Sequence, residues 1–273
     1  MKNTYKINKD RVKTGIRGLD SIINGGIPKN NIVLVSGAAG TGKTLFGLEY
    51  IYRGAREFNE NGLYVSLEET PERLVQSAKN LCFLDIDDLI RAKKINIIKS
   101  EVYDLDTLTN KIEDSIEEIN AKRVVIDSIS VLSAFTENQL LVRRTILDIS
   151  QMLREHDCTS VFTGTMKKVN DGSELGVTTE EYVADGVIAL FHKLVGTSFQ
   201  RSLAIIKMRE TAHSEKLHPL KITCDGLIVL PSTDLTYTTN KRIDGDITQL
   251  KSQKIKDKQH SIEKDVVVPL PEV

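Results

Sequence analysis

Cysteine is scarce in this chain: Cys82, Cys158 and Cys224 are scattered among 273 residues. An odd, dispersed set fits reduced thiols better than a disulfide framework, and a cytoplasmic location is the matching expectation. No apolar run approaches the roughly 20 residues that a membrane-spanning helix needs. The opening MKNTYKINKDRVK has no apolar core, so no secretory signal is expected there. Net charge is also nearly missing: 37 Lys and Arg face 38 Asp and Glu, for a formal charge of −1. Nothing global therefore draws the chain to nucleic acid or to an anionic membrane. The five histidines contain no pair at zinc-ligand spacing. No internal repeat is visible.

What the chain does contain is an alternation. Short apolar, β-branched runs recur at Ile32–Val35, Leu63–Leu67, Ile95–Ile98, Val124–Ile126, Ser160–Thr163 and Val187–Leu190. Between them lie helical periods: Leu45, Leu48, Ile51 or Tyr52, Ala55; Leu105, Leu108, Ile112, Ile116, Ile119; and Val142, Ile146, Ile149, Leu153. This pattern predicts an α/β fold with a mostly parallel central sheet flanked by helices. Past residue 190 the helical periods stop. Arg201–Arg209, Pro219–Thr223 and Leu227–Leu230 read as strands joined by turns, an antiparallel C-terminal extension. The expected organisation is a flexible lead over 1–10, one domain over 11–235, and a polar, Lys-rich, disordered tail over 236–273. Within that tail, Val266–Leu270 (VVVPL) reads first as an untethered end, with a docking peptide for a protein partner as the alternative.

The segment GAAGTGKT, Gly37 to Thr44, fits G-x-x-x-x-G-K-[ST] and has a strand before it and a helix after it. Glycines let the backbone turn tightly and aim N–H groups inward, and the helix N-terminus adds partial positive charge. The cradle expected for ATP comprises Gly37, Ala38, Ala39, Gly40, Thr41, Gly42, Lys43, Thr44 and Leu45. Lys43 reaches the β- and γ-phosphates, and the Thr44 hydroxyl faces Mg2+. Asp127, at the end of RVVID, is the second expected metal ligand, through the ion's water shell. Alone it reads equally as a cap of the loop-like stretch from Ser128 to Ser133; beside Lys43 and Thr44 the metal role is favoured.

Two further pairs lie on expected strand ends. Glu68 and Glu69 follow Leu63–Leu67, with Thr70 as N-cap and Pro71 opening the next helix. They are assigned jointly to activating water beside the γ-phosphate; complementing the dipole of the following helix is the plain alternative. Lys207 and Arg209, in IIKMRE, alternate onto one face of a strand and call for an anion. A surface ion pair with Glu210 or Glu215 is the plain alternative.

Taken in order, TGIRGLD (Thr14–Asp20), GGIP (Gly25–Pro28), the phosphate loop, Glu68 with Glu69, Asp127 and KMR (Lys207–Arg209) resemble the KaiC-like branch of the RecA/RadA/DnaB ATPases, over about residues 11–232. The resemblance implies a RecA-like P-loop NTPase and a homo-oligomer, usually a hexameric ring, with ATP held between subunits. It implies that Lys207 and Arg209 serve the neighbouring copy's γ-phosphate as catalytic groups beside Lys43, Glu68 and Glu69. It places Thr211–Ser214 near the partner's nucleotide. A phosphorylated Ser-Thr pair found in one clock-protein repeat falls here at Glu181 and Tyr182, so autophosphorylation of that type is not expected; Thr178 and Thr179 keep a kinase activity open. The expected function is a slow regulatory or signalling ATPase. An ATP-gated scaffold and a RadA-like single-strand DNA accessory protein are the alternatives. For the last, Ser133–Gln139 and Lys167–Thr179 are the candidate pore loops, a thin basic footprint, and Arg91–Lys94, Arg143 and Arg144 read as solvated faces or ring contacts.

Overall fold

The computed structural model describes residues 10–100, 105–136, 138–166 and 179–230. The lead over 1–9 and the tail beyond 230, with its VVVPL segment, lie outside the described residues, as do Lys167–Thr178 and Glu137 of the candidate pore loops.

The chain opens with β1 (Arg11–Val12), α1 (Leu19–Ile22) and β2 (Ile27–Pro28). It continues through β3 (Ile32–Gly37), α2 (Lys43–Glu57), β4 (Gly62–Ser66), α3 (Pro71–Asn80), α4 (Ile86–Arg91) and β5 (Ile95–Lys99). Next come α5 (Leu105–Ile119), β6 (Arg123–Asp127), α6 (Val131–Phe135), α7 (Gln139–Glu155), β7 (Thr159–Gly164) and α8 (Thr179–Val183). Four strands close it: β8 (Gly186–Val195), β9 (Ser198–Met208), β10 (His218–Thr223) and β11 (Gly226–Val229). The main sheet runs β11-β10-β9-β8-β3-β7-β6-β4-β5. From β8 to β5 every pairing is parallel; β9, β10 and β11 extend it antiparallel. The α/β architecture and its antiparallel extension are as the residue pattern predicts.

Alternation within the strands assigns side chains to two cores. Val33, Val35, Tyr64, Val125, Val161 and Ile188 enter one cluster with α2 and α3. Their neighbours Ile32, Leu34, Leu63, Val65, Val124, Ile126 and Phe162 enter the other, with α5 and α7. A strand buried on both faces has no polar side to show, which is why these runs read as continuously apolar.

Several details depart from the sequence reading. Residues 131–135 form α6, where Ser128–Ser133 reads as loop. Strand β4 stops at Ser66, leaving Glu68 and Glu69 in the bend before α3. Thr70 does occupy the N-cap, and Pro71 the first helical position, but the Thr70 side chain makes no cap hydrogen bond. Cys82 and Cys224 form a disulfide across 142 residues, with Cα atoms 5.3 Å apart. Spacing along the chain cannot reveal this pairing: the loop after α3 meets the β10–β11 turn only in the folded sheet. Cys158 is free and buried, and burial pushes its thiol up to about 12.

The helical stripe of α2 also understates its burial. Glu49 is 1% exposed and sits under the β10–β11 turn, where its Oε2 accepts from the Leu227 amide at 2.6 Å. Gly226, at φ +95°, leaves room for that carboxyl; a Cβ there would stand 2.4 Å from Glu49 Oε1. Burial raises the Glu49 pKa from 4.5 to about 7, opposed by the Leu227 hydrogen bond and by Arg53. Between those pH values the native chain holds a proton that the unfolded chain has lost. This carboxyl's contribution is therefore complete below about pH 4.5 and lost as pH rises through about 7, a change on the order of 3 kcal/mol. Glu49→Gln keeps an oxygen for Leu227 and should remove that slope. Urea midpoints of both proteins at pH 5 and pH 8 check this, and parallel pH dependence would refute it.

Candidate nucleotide site

Strand β3 ends at the phosphate loop and α2 begins inside it. Gly40 and Gly42 take φ of +75° and +107°, values that side chains resist. Gly37 is needed for closeness instead: a Cβ would stand 2.6 Å from the Leu190 carbonyl oxygen and 2.7 Å from Thr41 Oγ1. Ala38, Ala39 and Gly40 are exposed, and Thr41 is buried, donating to the Ala38 carbonyl at 2.9 Å. Phe46 N–H already donates to the Gly42 carbonyl, so the amides of Lys43, Thr44 and Leu45 are the open donors of the first helical turn. The Lys43 ammonium spans the loop, donating to the carbonyls of Gly37 at 2.9 Å and Ala38 at 3.0 Å. Burial lowers its pKa, while Asp127 and Glu68 favour its charged form.

Asp127 is the hub beside the loop. Its Oδ2 accepts from Thr44 Oγ1 at 2.8 Å and from the Tyr64 hydroxyl at 2.6 Å; its Oδ1 accepts from Thr163. Burial, then the Asp127 charge, raises the Tyr64 phenol well above its ordinary pKa, so it stays a donor. The Asp127–Ser128 peptide is cis. Thr44 and Asp127 together present hard oxygen atoms of the kind magnesium prefers. Sequence reading finds Asp127 and Thr44 but misses Tyr64 and Thr163, which reach Asp127 from the neighbouring strands β4 and β7.

Glu68 is exposed and Glu69 half-buried. Their bend is fixed by Ser66, whose Oγ accepts from the Glu69 amide at 2.9 Å and the Glu68 amide at 3.4 Å. The Leu67 amide donates to the Asp127 carbonyl at 2.7 Å, which ties the carboxylate bend to the backbone of the aspartate. A further residue escapes sequence reading. Arg201 on β9 reaches the loop and donates to the Gly40 carbonyl at 3.2 Å and 3.4 Å. Only the pairing register shows it: Gly37 faces Leu190 on β8, and Arg201 pairs with His192, two residues beyond Leu190.

Lys207 and Arg209 lie elsewhere. Met208, between them, pairs with Gly186, which pairs with Val33 at the other end of β3 from Gly37. At ~3.3 Å per residue this is about 13 Å down the sheet from the loop. A bulge leaves Ile206 unopposed, because Lys207 pairs with Val187 and Ile205 with Ile188. Leu203, Ile205 and then Met208 are buried, so the bulge turns Lys207 away from the core that strict alternation would give it. Strand β9 stops at Met208, so Arg209 stands in the following turn rather than in the strand. Lys207 donates to the Glu181 carbonyl at 2.8 Å, and burial followed by Arg209 lowers its pKa. Arg209 pairs with Asp185 at 3.3 Å, an acid that the surface-pair alternative does not name.

The loop after Arg209 is braced by the N-terminal motifs. Arg11 donates to Thr211 Oγ1 at 3.1 Å and to the Gly26 carbonyl at 2.9 Å, and the Ser214 amide donates to the Ile22 carbonyl at 2.9 Å. His213 Nδ1 lies 3.2 Å from the Ser214 carbonyl oxygen, and Ser214 Oγ lies 2.8 Å from His218 Nε2. In TGIRGLD, Thr14 donates through both its amide and its hydroxyl to Asp20. Glu181 and Tyr182 belong to α8, and Tyr182 is 63% exposed. The basic residues set aside as solvated faces are mostly paired: Arg91 with Asp88, Lys93 with Glu118, and Arg144 with Asp148. Among the described residues no helix is long and apolar enough to cross a membrane.

A glycine loop wrapped around a helix N-terminus, with a strand-end aspartate beside its threonine, defines a P-loop nucleoside triphosphatase; the sheet around it is of the RecA-like kind. Residues 12–234 match the family model described as "ATPase: KaiC", and the chain belongs to that family. Membership makes it an ATP-binding ATPase at the level of the family. It is 34% identical over 261 residues to the circadian clock protein KaiC2 of Synechocystis, covering 91% of this chain and 45% of that protein. The chain thus spans less than half of that relative. It is 34% identical to a UPF0273 protein of Methanocaldococcus jannaschii, covering 81% of this chain and 96% of that one. The crystal structure of a KaiC-like protein from Pyrococcus horikoshii superposes with a TM-score of 0.74 at 35% identity, covering 81% of this chain and 99% of that one.

Proposed function

We propose that the chain is a slow, magnesium-dependent ATPase with a regulatory role, working in a ring of copies, six in number, with ATP at each seam. One copy supplies the phosphate loop Gly37–Thr44 with Lys43, and the next supplies Lys207 and Arg209. The observation that carries this reading is the separation of the two cation sets. Lys43 stands at one end of β3, and Lys207 and Arg209 stand about 13 Å below the loop near the other. A single copy cannot bring both sets to one triphosphate, whereas a head-to-tail neighbour can. Contacts of that heterologous type close into rings when the rotation allows.

Within the loop, the open amides of Lys43, Thr44 and Leu45 and the Lys43 ammonium meet phosphate oxygens, and Arg201 steadies the loop from the side. Thr44 and Asp127 would hold a magnesium ion, which when bound supplies charge neutralisation on the phosphates. Tyr64 and Thr163 orient the Asp127 carboxylate by donating to it. Glu68 and Glu69 order and deprotonate the attacking water from the bend that Ser66 fixes. The paired Glu68→Gln and Glu69→Gln variant should keep ATP binding and assembly while phosphate release falls by about 10²-fold or more. Undiminished release would remove both carboxylates from the mechanism.

Particle mass with and without Mg-ATP, measured beside phosphate release, tests the whole reading. A multi-copy particle whose formation tracks release is expected. A lone copy hydrolysing at full rate under saturating Mg-ATP would overturn it.

A further inference from the structure

The cation presented to the neighbour needs an anchor that does not cancel its charge. Asp185, in the turn between α8 and β8, supplies one. Its side chain is 13% exposed, against 54% for Arg209. Its carbonyl accepts from the Arg209 amide at 2.9 Å, and its Oδ1 accepts from Arg209 Nη1 at 3.3 Å. The same residue is fixed to the foot of β3: its amide donates to the Ile32 carbonyl at 2.8 Å, and its Oδ2 accepts from the Ile32 amide at 3.0 Å. Arg209 is therefore held, through one side chain and one backbone, by the strand that ends in the chain's own phosphate loop.

Charge balance gives the arrangement its meaning. A lone aspartate–arginine pair sums to zero and would present little field to a triphosphate. Here Arg154, from the last turn of α7, donates to Asp185 Oδ2 at 2.9 Å. Two guanidiniums on one carboxylate leave one positive charge in the trio. The trio borders an open cleft of about 340 Å³, also lined by Lys29 and Glu210. We propose that Asp185 is a positioning residue that aims Arg209 at the neighbouring copy's triphosphate, and that Arg154 offsets the Asp185 charge so that Arg209 keeps its own. This rests on the seam reading above.

The test is a double-mutant cycle on ATP turnover by the full chain. Asp185→Asn keeps an oxygen for the Ile32 amide but loses the charge that holds Arg209. It should lower kcat about tenfold, with KM for ATP changed much less, because a finger off by about 1 Å costs turnover. In the Arg209→Ala background the same change should cost nothing further, since a residue acting through Arg209 has nothing left to position. Arg154→Gln, which leaves Asp185 uncompensated, should show the same Arg209-dependent loss and serves if Asp185→Asn folds poorly. Losses that persist undiminished in the Arg209→Ala background, or wild-type kcat in both single variants, would overturn the proposal. Should Arg209→Ala itself turn over ATP at the wild-type rate, the seam reading fails, and this inference with it; additivity beside a true Arg209→Ala defect sinks the inference alone.

Discussion

Lys43→Ala should lose ATP affinity by about a thousandfold while keeping the fold. The ammonium spans the loop through the carbonyls of Gly37 and Ala38, so it stands where the phosphate chain must lie. A cation at ~4 Å from a phosphate charge, in an effective dielectric near ~20, is worth on the order of 4 kcal/mol before desolvation, or about 10³ in affinity. Part of the desolvation is already met in the protein, because burial lowers the lysine pKa while Asp127 and Glu68 hold its charge. Alanine suits the first turn of α2, so thermal unfolding should move little. Titration calorimetry with ATP, run beside a melting curve, gives both numbers. Unchanged affinity would remove the phosphate-loop assignment; lost affinity with a collapsed melt would point to folding instead.

Arg209→Ala should bind ATP normally and lose turnover by on the order of 10³-fold, the lower range for an arginine supplied to a transferring phosphate. Loss alone does not say which copy the arginine serves. Mixing does. The Glu68→Gln, Glu69→Gln variant binds ATP and carries an intact Arg209, whereas Arg209→Ala carries intact carboxylates. In randomly mixed assemblies about a quarter of the seams join a good loop to a good arginine, and turnover should recover toward that fraction. An arginine that worked within its own copy would give no recovery at any ratio. Phosphate release across a mixing series, after exchange of copies, decides between the two.

Much of this site could be read from residues in a row. Gly37–Thr44 declares itself because strand, loop and helix start are contiguous, and Asp127 because it closes an apolar run. The parallel sheet follows from runs that are apolar on both faces, such as Val124–Ile126. What could not be read is whatever depends on register between strands. Tyr64 and Thr163 meet at Asp127 from two different neighbours, and Arg201 reaches Gly40 across a distance of 161 positions. The bulge at Ile206 is equally invisible, yet it decides which way Lys207 points. Glu49 was hidden for another reason: a helical period counts apolar residues, and a buried acid at the rim of that stripe carries no apolar mark. Cys82 and Cys224 show the same limit, since covalent partners 142 positions apart leave no local trace.

The position of β3 between its two ends has one more consequence. A protomer that offers its cradle at one tip of this strand and its guanidinium at the other is a polar unit, like a link with a hook and an eye. In the proposed assembly an open row of n such links completes only n − 1 seams, so specific turnover per chain should climb with row length ever more gently and reach its full value on closure. Stoichiometry of active sites, counted by tight-binding inhibitor against total protomers, then becomes a direct gauge of whether the row has joined its ends.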